Sequence, residues 1–324
     1  MVHGAAAPVI DLDGASRAYG PTLAVDRLSL GVAGGEVHAV LGRNGAGKTT
    51  VIRMLSGLVR PTSGSVRVAG VDAGRDVRTV STLVGLVPSG DRSFYLRLSA
   101  TENLLFFGRL HGLRKTAARA RATAALALVG LSHVGSQPMS TFSHGMQKRV
   151  SVARALLTEP RVLLVDEATH DLDPEGSSTV RDLVRSAADR GTAVLWATQR
   201  VEEVRGFADR VTLLEQGRAH FQGSVADLLA RAGSRRFVVV LGERGNGRVP
   251  VEAKLAAALG DAGRIATLDG DDGTHLLVLA EQASLGEALG ALLEAGATVL
   301  GCRQERPEVE DAFLRLVGSS GEDV

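Results

Sequence analysis

Ten residues, LGRNGAGKTT (41–50), gather three glycines, one lysine and two threonines. Their spacing, Gly42-x4-Gly47-Lys48-Thr49, suits a loop that wraps its backbone N–H groups around an anion at the start of a helix. Glycine permits the tight nest of donors, and the helix N-terminus adds positive potential. A lysine here reaches the β- and γ-phosphates of a nucleoside triphosphate, and the Thr49 hydroxyl is placed to ligate Mg²⁺. The candidate phosphate-binding residues are Gly42, Asn44, Gly45, Gly47, Lys48, Thr49 and Thr50.

A second cluster ends an apolar run, Arg161-Val-Leu-Leu-Val-Asp166-Glu167. Four buried residues followed by two acids put a carboxylate at the carboxyl edge of a sheet, where α/β proteins bind ligands. Asp166 suits the Mg²⁺ side of a phosphate-loop site. Glu167 suits the general base that activates an attacking water. A third cluster, Ser143-His144-Gly145, stands just before that run. A serine and an open glycine at a helix start are consistent with an ordinary helix cap or with a second, independent phosphate clamp.

These clusters need a scaffold, and the composition allows one. The chain has 324 residues, 44% hydrophobic and 23% charged, which is the globular range, and its length suits two domains. Net charge is +1, unevenly spread: residues 1–223 carry 27 basic and 20 acidic side chains, and 224–324 carry 10 and 16. That change in sign supports a boundary near 224. The basic excess is too small to argue for nucleic acid. Cys302 is the single cysteine, so an internal disulfide or a cysteine zinc site is excluded. No run approaches the roughly 18 apolar residues that span a bilayer. Action at a membrane would require a partner that crosses it.

Short strands are expected within 8–40, the last feeding the glycine-rich loop, and a helix over 49–58. Residues 61–71 suggest a turn and an edge strand, and 80–87 include a short apolar strand. Ser99 and Glu102 form a capping box that opens a helix to about 111. Further helices are expected at 116–129, from Ser143, and at 177–190. The runs TAVLWAT and RVTLLEQG read as buried strands, with Trp196 a core residue. Strands alternating with helices imply an α/β fold with a largely parallel sheet. A linker helix is expected within 224–235. The order beyond it is strand, helix, strand, strand, helix, strand over 237–303, within a small ferredoxin-like α+β accessory domain expected at 236–318. A closing helix carries Val309, Phe313 and Leu316, and residues 319–324 read as a frayed tail.

The three clusters in this order resemble those of ATP-binding cassette (ABC) transporter ATP-binding subunits. The resemblance covers residues 8 to about 223. Ser143 and Gly145 match the LSGGQ signature, and His170-Asp171-Leu172-Asp173 matches the loop after the catalytic glutamate. Tyr19 sits where the family stacks an aromatic on adenine. The flank LSATENLLFFGRLHGL and the tail PEVEDAFLRLVG are similar to the drug and antibiotic export branch. The resemblance implies a RecA-like core with an antiparallel β subdomain and a helical subdomain. It implies ATP and Mg²⁺ as cofactors and a separate transmembrane permease as partner. It implies a head-to-tail dimer, with itself or a paralogous subunit, in which Ser143 and Gly145 complete the partner's site. Placement is then peripheral, on the cytoplasmic face of the membrane.

Two positions depart from the family. Ser89 stands where a glutamine contacts Mg²⁺ or the water, and Asp91 is the nearby acid that could substitute. Gln199 stands where a histidine contacts the γ-phosphate. A glutamine amide still donates a hydrogen bond but cannot become cationic near neutral pH, so slower turnover is expected. The departures leave a second reading open, an ATP-gated protein that binds and barely hydrolyses. A soluble ABC ATPase working on ribosomes or DNA is a third, opposed by the single cassette and by the lack of coiled coils or zinc cysteines.

Overall fold

The glycine-rich loop lies between a buried strand and a helix. In the computed structural model, which describes residues 7–90, 94–232, 236–242, 252–260, 263–267, 274–279 and 284–304, the chain forms two compact units, 1–225 and 226–324. The first unit opens with strands β1 (Ile10–Tyr19), β2 (Thr22–Val32) and β3 (Val37–Leu41), then helix α1 (Lys48–Leu55). Strands β4 (Ser63–Val68) and β5 (Val71–Asp72), helix α2 (Val77–Leu83) and strand β6 (Val84–Val87) follow. Helices α3 (Ala100–Leu110), α4 (Lys115–Leu128) and α5 (His144–Leu156) come next. Strand β7 (Val162–Asp166), helix α6 (Pro174–Asp189) and strands β8 (Ala193–Thr198), β9 (Arg210–Glu215) and β10 (Arg218–Ser224) complete it.

Two sheets result. The larger has the order β10-β9-β3-β8-β7-β6, parallel except for β10, which pairs antiparallel with β9. The smaller is antiparallel, β2-β1-β4-β5. The strand expected at a sheet edge, β4, therefore lies inside, between β1 and the two-residue β5. Sequence alone reads β4 as an edge because its outer neighbour is too short to register as a strand.

The parallel strands are buried on both faces, so they are apolar without alternation. Along β7, Val162 and Leu164 pack with Val51, Ile52 and Leu55 of α1 and with the antiparallel sheet. Leu163 and Val165 face the other way, onto Val152 of α5 and Val180, Val184 and Ala188 of α6. Trp196 joins this second layer, edge-on to Phe207 with centroids 4.9 Å apart. Helices α3, α4 and α5 enclose a third core around Leu104, Leu126, Met139 and Val150. The Arg154 guanidinium lies over Phe94 and Phe107 in this subdomain, 5.2 and 4.9 Å from the ring centres.

Helix starts follow side-chain chemistry. Ser99 and Glu102 make both bonds of the expected capping box. Asp173 caps α6 through the Gly176 N–H, with proline in the first turn, so that helix begins three residues earlier than the apolar pattern suggests. In 116–129 the alanines Ala118, Ala122 and Ala125 are buried, while Arg121 pairs with Glu159.

The second unit carries α7 (Val225–Ala232), which begins at its edge. Strand β11 (Arg236–Gly242), helix α8 (Glu252–Leu259), strands β12 (Gly263–Thr267) and β13 (Thr274–Leu279), helix α9 (Leu285–Glu294) and strand β14 (Thr298–Gln304) follow. The sheet is antiparallel in the order β12-β13-β11-β14. This is the βαββαβ arrangement, with Val239, Leu255, Leu277 and Leu292 in its core. The closing helix with Val309, Phe313 and Leu316, the tail and Asp91 lie outside the described residues.

Candidate functional site

The loop 42–47 leaves β3 at the carboxyl edge of the parallel sheet and enters α1. Gly47 takes φ +107°, and a Cβ there would meet the Ala24 carbonyl oxygen at 2.4 Å. A Cβ on Gly42 would stand 2.4 Å from the Leu214 carbonyl oxygen. Close backbone approach thus demands glycine at both positions. Gly45 needs its glycine for conformation alone, at φ +83° in open space. Asn44 is exposed on the loop, and Thr50 is buried behind it. Helices α3, α5 and α6 each receive a side-chain cap, but α1 has none and no acid in its first turn. Its leading N–H groups are thereby available to an anion.

Lys48 is 4% exposed and folds back over this loop. Its ammonium donates to the carbonyl oxygens of Gly42 at 2.7 Å and Arg43 at 3.1 Å, and pairs with Glu167 at 3.1 Å. The Thr49 hydroxyl donates to the Asp166 carboxylate at 3.4 Å. Burial raises the Asp166 carboxyl above the ordinary range; the Thr49 hydroxyl opposes this, Glu167 adds to it and Lys48 opposes it. A hard cation prefers such a set, a hydroxyl facing a carboxylate with a second acid beside it. The residues therefore fit Mg²⁺. Glu167 holds φ +46°, a region costly for a side chain. It occupies the sharp turn that follows β7.

Other expected site residues fall elsewhere. Tyr19 ends β1, 41% exposed, with the Arg17 guanidinium 4.6 Å over its ring. Ser143 caps α5, accepting from the Met146 N–H at 3.2 Å, which leaves its own O–H to donate. Ser143 and Gly145 line a groove of about 540 Å³ with His144, Asp171, Asp173 and Thr179. Among the described residues, no hydrogen bond or ion pair joins Ser143 or Gly145 to the loop at 42–49.

Two participants escape a reading of the sequence. Lys148, 2% exposed, donates to the carbonyl oxygens of Pro88 and Ser89 at 3.2 and 3.1 Å. The backbone at Ser89 is thus tied to α5. Glu203, 1% exposed, accepts from Thr198 Oγ1 at 2.8 Å, from Trp196 Nε1 at 3.2 Å and from the Thr169 hydroxyl. Each stands among other polar residues, Lys148 between Gln147 and Arg149 and Glu203 after Glu202, so no local signal marks it.

A parallel sheet, a glycine-rich loop opening α1, and two acids closing β7 beside its lysine define a phosphate-loop ATPase cassette. Residues 25–170 match the ABC transporter family model. The chain is 39% identical to a daunorubicin resistance ATP-binding protein of Streptomyces coeruleorubidus, over 95% of this chain and 96% of that protein. It is 35% identical to the daunorubicin/doxorubicin resistance ATP-binding protein of Streptomyces peucetius, over 97% and 94%. Among solved structures it resembles cbiO1 of Clostridium perfringens, part of an ABC transporter complex, at 27% identity and TM-score 0.65. That likeness covers 69% of this chain and 92% of that one. The chain belongs to the ATP-binding proteins of ABC transporters. Because the first match spans 95% of the chain, it takes in the second unit as well.

Proposed function

We propose that the chain hydrolyses ATP to power a separate membrane-spanning permease, as the energising subunit of an exporter of drug-like or antibiotic-like compounds. The observation that carries this is the convergence of Lys48, Thr49, Asp166 and Glu167 on one sheet edge. Relatives named for daunorubicin and doxorubicin resistance support the export direction. No helix among the described residues is long and apolar enough to cross a membrane, and we assign the translocation path to the partner. We place the chain at the cytoplasmic face, where ATP is supplied.

In this reading Thr49 and Asp166 would hold Mg²⁺, which would supply positive charge to neutralise the bound triphosphate. Lys48 exchanges its carbonyl and carboxylate partners for phosphate oxygens. Glu167, released from Lys48, accepts a proton from the attacking water. Gln199 donates an amide hydrogen bond to the γ-phosphate, and Tyr19 stacks on the adenine. Ser143 and Gly145 act in trans: among the described residues they make no bond to their own loop, which supports a second copy bringing them to it. Two copies stacked head to tail enclose two ATP molecules, and closure moves the permease.

The direct test is affinity capture of the tagged chain from detergent-solubilised membranes of its host. Recovery of a multi-spanning protein in comparable amount supports the reading. Capture without one overturns it.

A further inference from the structure

Two loops meet beside the catalytic carboxylate. One leaves β7 and runs through Glu167 to Thr169 and His170. The other leaves β8 at Thr198 and runs into Gln199. Beneath both lies the Glu203 carboxylate, which accepts from the hydroxyls of Thr169 and Thr198 and from the Trp196 indole. Each threonine immediately precedes one of the two outward side chains. A buried carboxylate with three donors is costly to disturb, so Glu203 fixes the loops against each other. Above it, Gln199 Nε2 donates to His170 Nδ1 at 3.1 Å.

A glutamine side chain has one more torsion than an imidazole and loses more freedom when held in place. Its amide carries two N–H donors. His170 engages one of them, which sets the plane of the amide and the direction of the other. We propose that His170 is a positioning residue for ATP hydrolysis: it holds the Gln199 amide so that the second N–H meets the γ-phosphate. The imidazole thus enters from the loop after β7, and the pair does from two loops what one histidine at 199 would do alone. The inference rests on the ATPase reading given above.

The test uses the full-length chain with Mg-ATP, with kcat and KM measured separately. His170 is exposed, so its substitution leaves the core intact. His170→Ala should lower kcat by roughly fivefold, the scale of one lost hydrogen bond, with the KM for ATP nearly unchanged. His170→Asn, whose Oδ1 lies where Nδ1 did, should restore most of the rate. The double variant with Gln199→Ala should be no slower than Gln199→Ala alone. In a Gln199→His background, His170→Ala should cost nothing. Wild-type kcat in His170→Ala, or losses that multiply in the double variant, would overturn the proposal while leaving the ATPase reading intact. A wild-type chain that does not hydrolyse ATP would overturn both.

Discussion

Lys48 Nζ lies 3.1 Å from Glu167 Oε1, so the lysine of the phosphate loop and the acid just past β7 neutralise each other. Triphosphate oxygens compete for the same ammonium. On the proposed assignment of Glu167 as the base, binding ATP is coupled to freeing the carboxylate for its water. Glu167→Gln should keep ATP affinity within a few-fold and cut hydrolysis by roughly a hundredfold or more. Nucleotide binding and phosphate release, measured side by side, check this. A fully active variant would mean that another group is the base.

Gln199→His should raise the ATPase rate, because an imidazole can carry positive charge beside the γ-phosphate and an amide cannot. Steady-state turnover at saturating Mg-ATP reads it. An unchanged or lower rate would show that the amide does not limit turnover.

Gly145 separates fold from function. Among the described residues a Cβ there would meet only Leu172, at 3.9 Å, and the backbone lies outside the left-handed region. Within one chain, Gly145→Ala should be neutral or stabilise α5 by about 0.5–1 kcal/mol. If another copy's nucleotide closes on this surface, the same methyl should depress ATP hydrolysis. Thermal melting and turnover are the paired readouts. Full activity in a variant no less stable than the wild type would refute the trans arrangement.

Stability should also depend on pH through His38. Burial holds its imidazole below the ordinary histidine range of 6.5, against the opposing pull of Glu36. Neutral, it donates from Nδ1 to Glu36 at 3.2 Å, and Nε2 accepts from the Thr212 hydroxyl at 2.8 Å. As pH falls below 6.5 the unfolded chain takes up a proton that the folded chain refuses. Stability is therefore lost on acidification, by at most about 1.4 kcal/mol per pH unit, until the depressed native value is passed. Denaturant midpoints between pH 7 and 5 test this. His38→Gln should flatten that slope even if it lowers the baseline, and an unaltered slope would assign it to another group.

What the sequence discloses here depends on distance along the chain. Gly42, Gly47, Lys48 and Thr49 fall within eight residues, so their geometry is nearly written in their spacing. Asp166 and Glu167 are legible because they end an apolar run. The Ser99 capping box is local in the same way. The bonds from Lys148 to Ser89 and from Gln199 to His170 cross 59 and 29 positions, and no local pattern encodes them. Glu203 is invisible for another reason. It sits in a one-turn helix among acids, and only the fold shows that Glu203 is buried while Glu202 is 55% exposed. The helix α2 escapes because its run, VRTVSTL, buries a single residue, Val80.

The left-handed backbone at Glu167 sets protein engineering against activity. A glycine would adopt φ +46° without steric cost, and asparagine nearly so. Selection for thermal endurance alone would therefore favour replacing the acid and return a robust, ATP-binding protein that no longer turns over. Stabilised versions of this subunit are best sought with residue 167 held constant, and with survival scored on ATP turnover rather than on melting temperature.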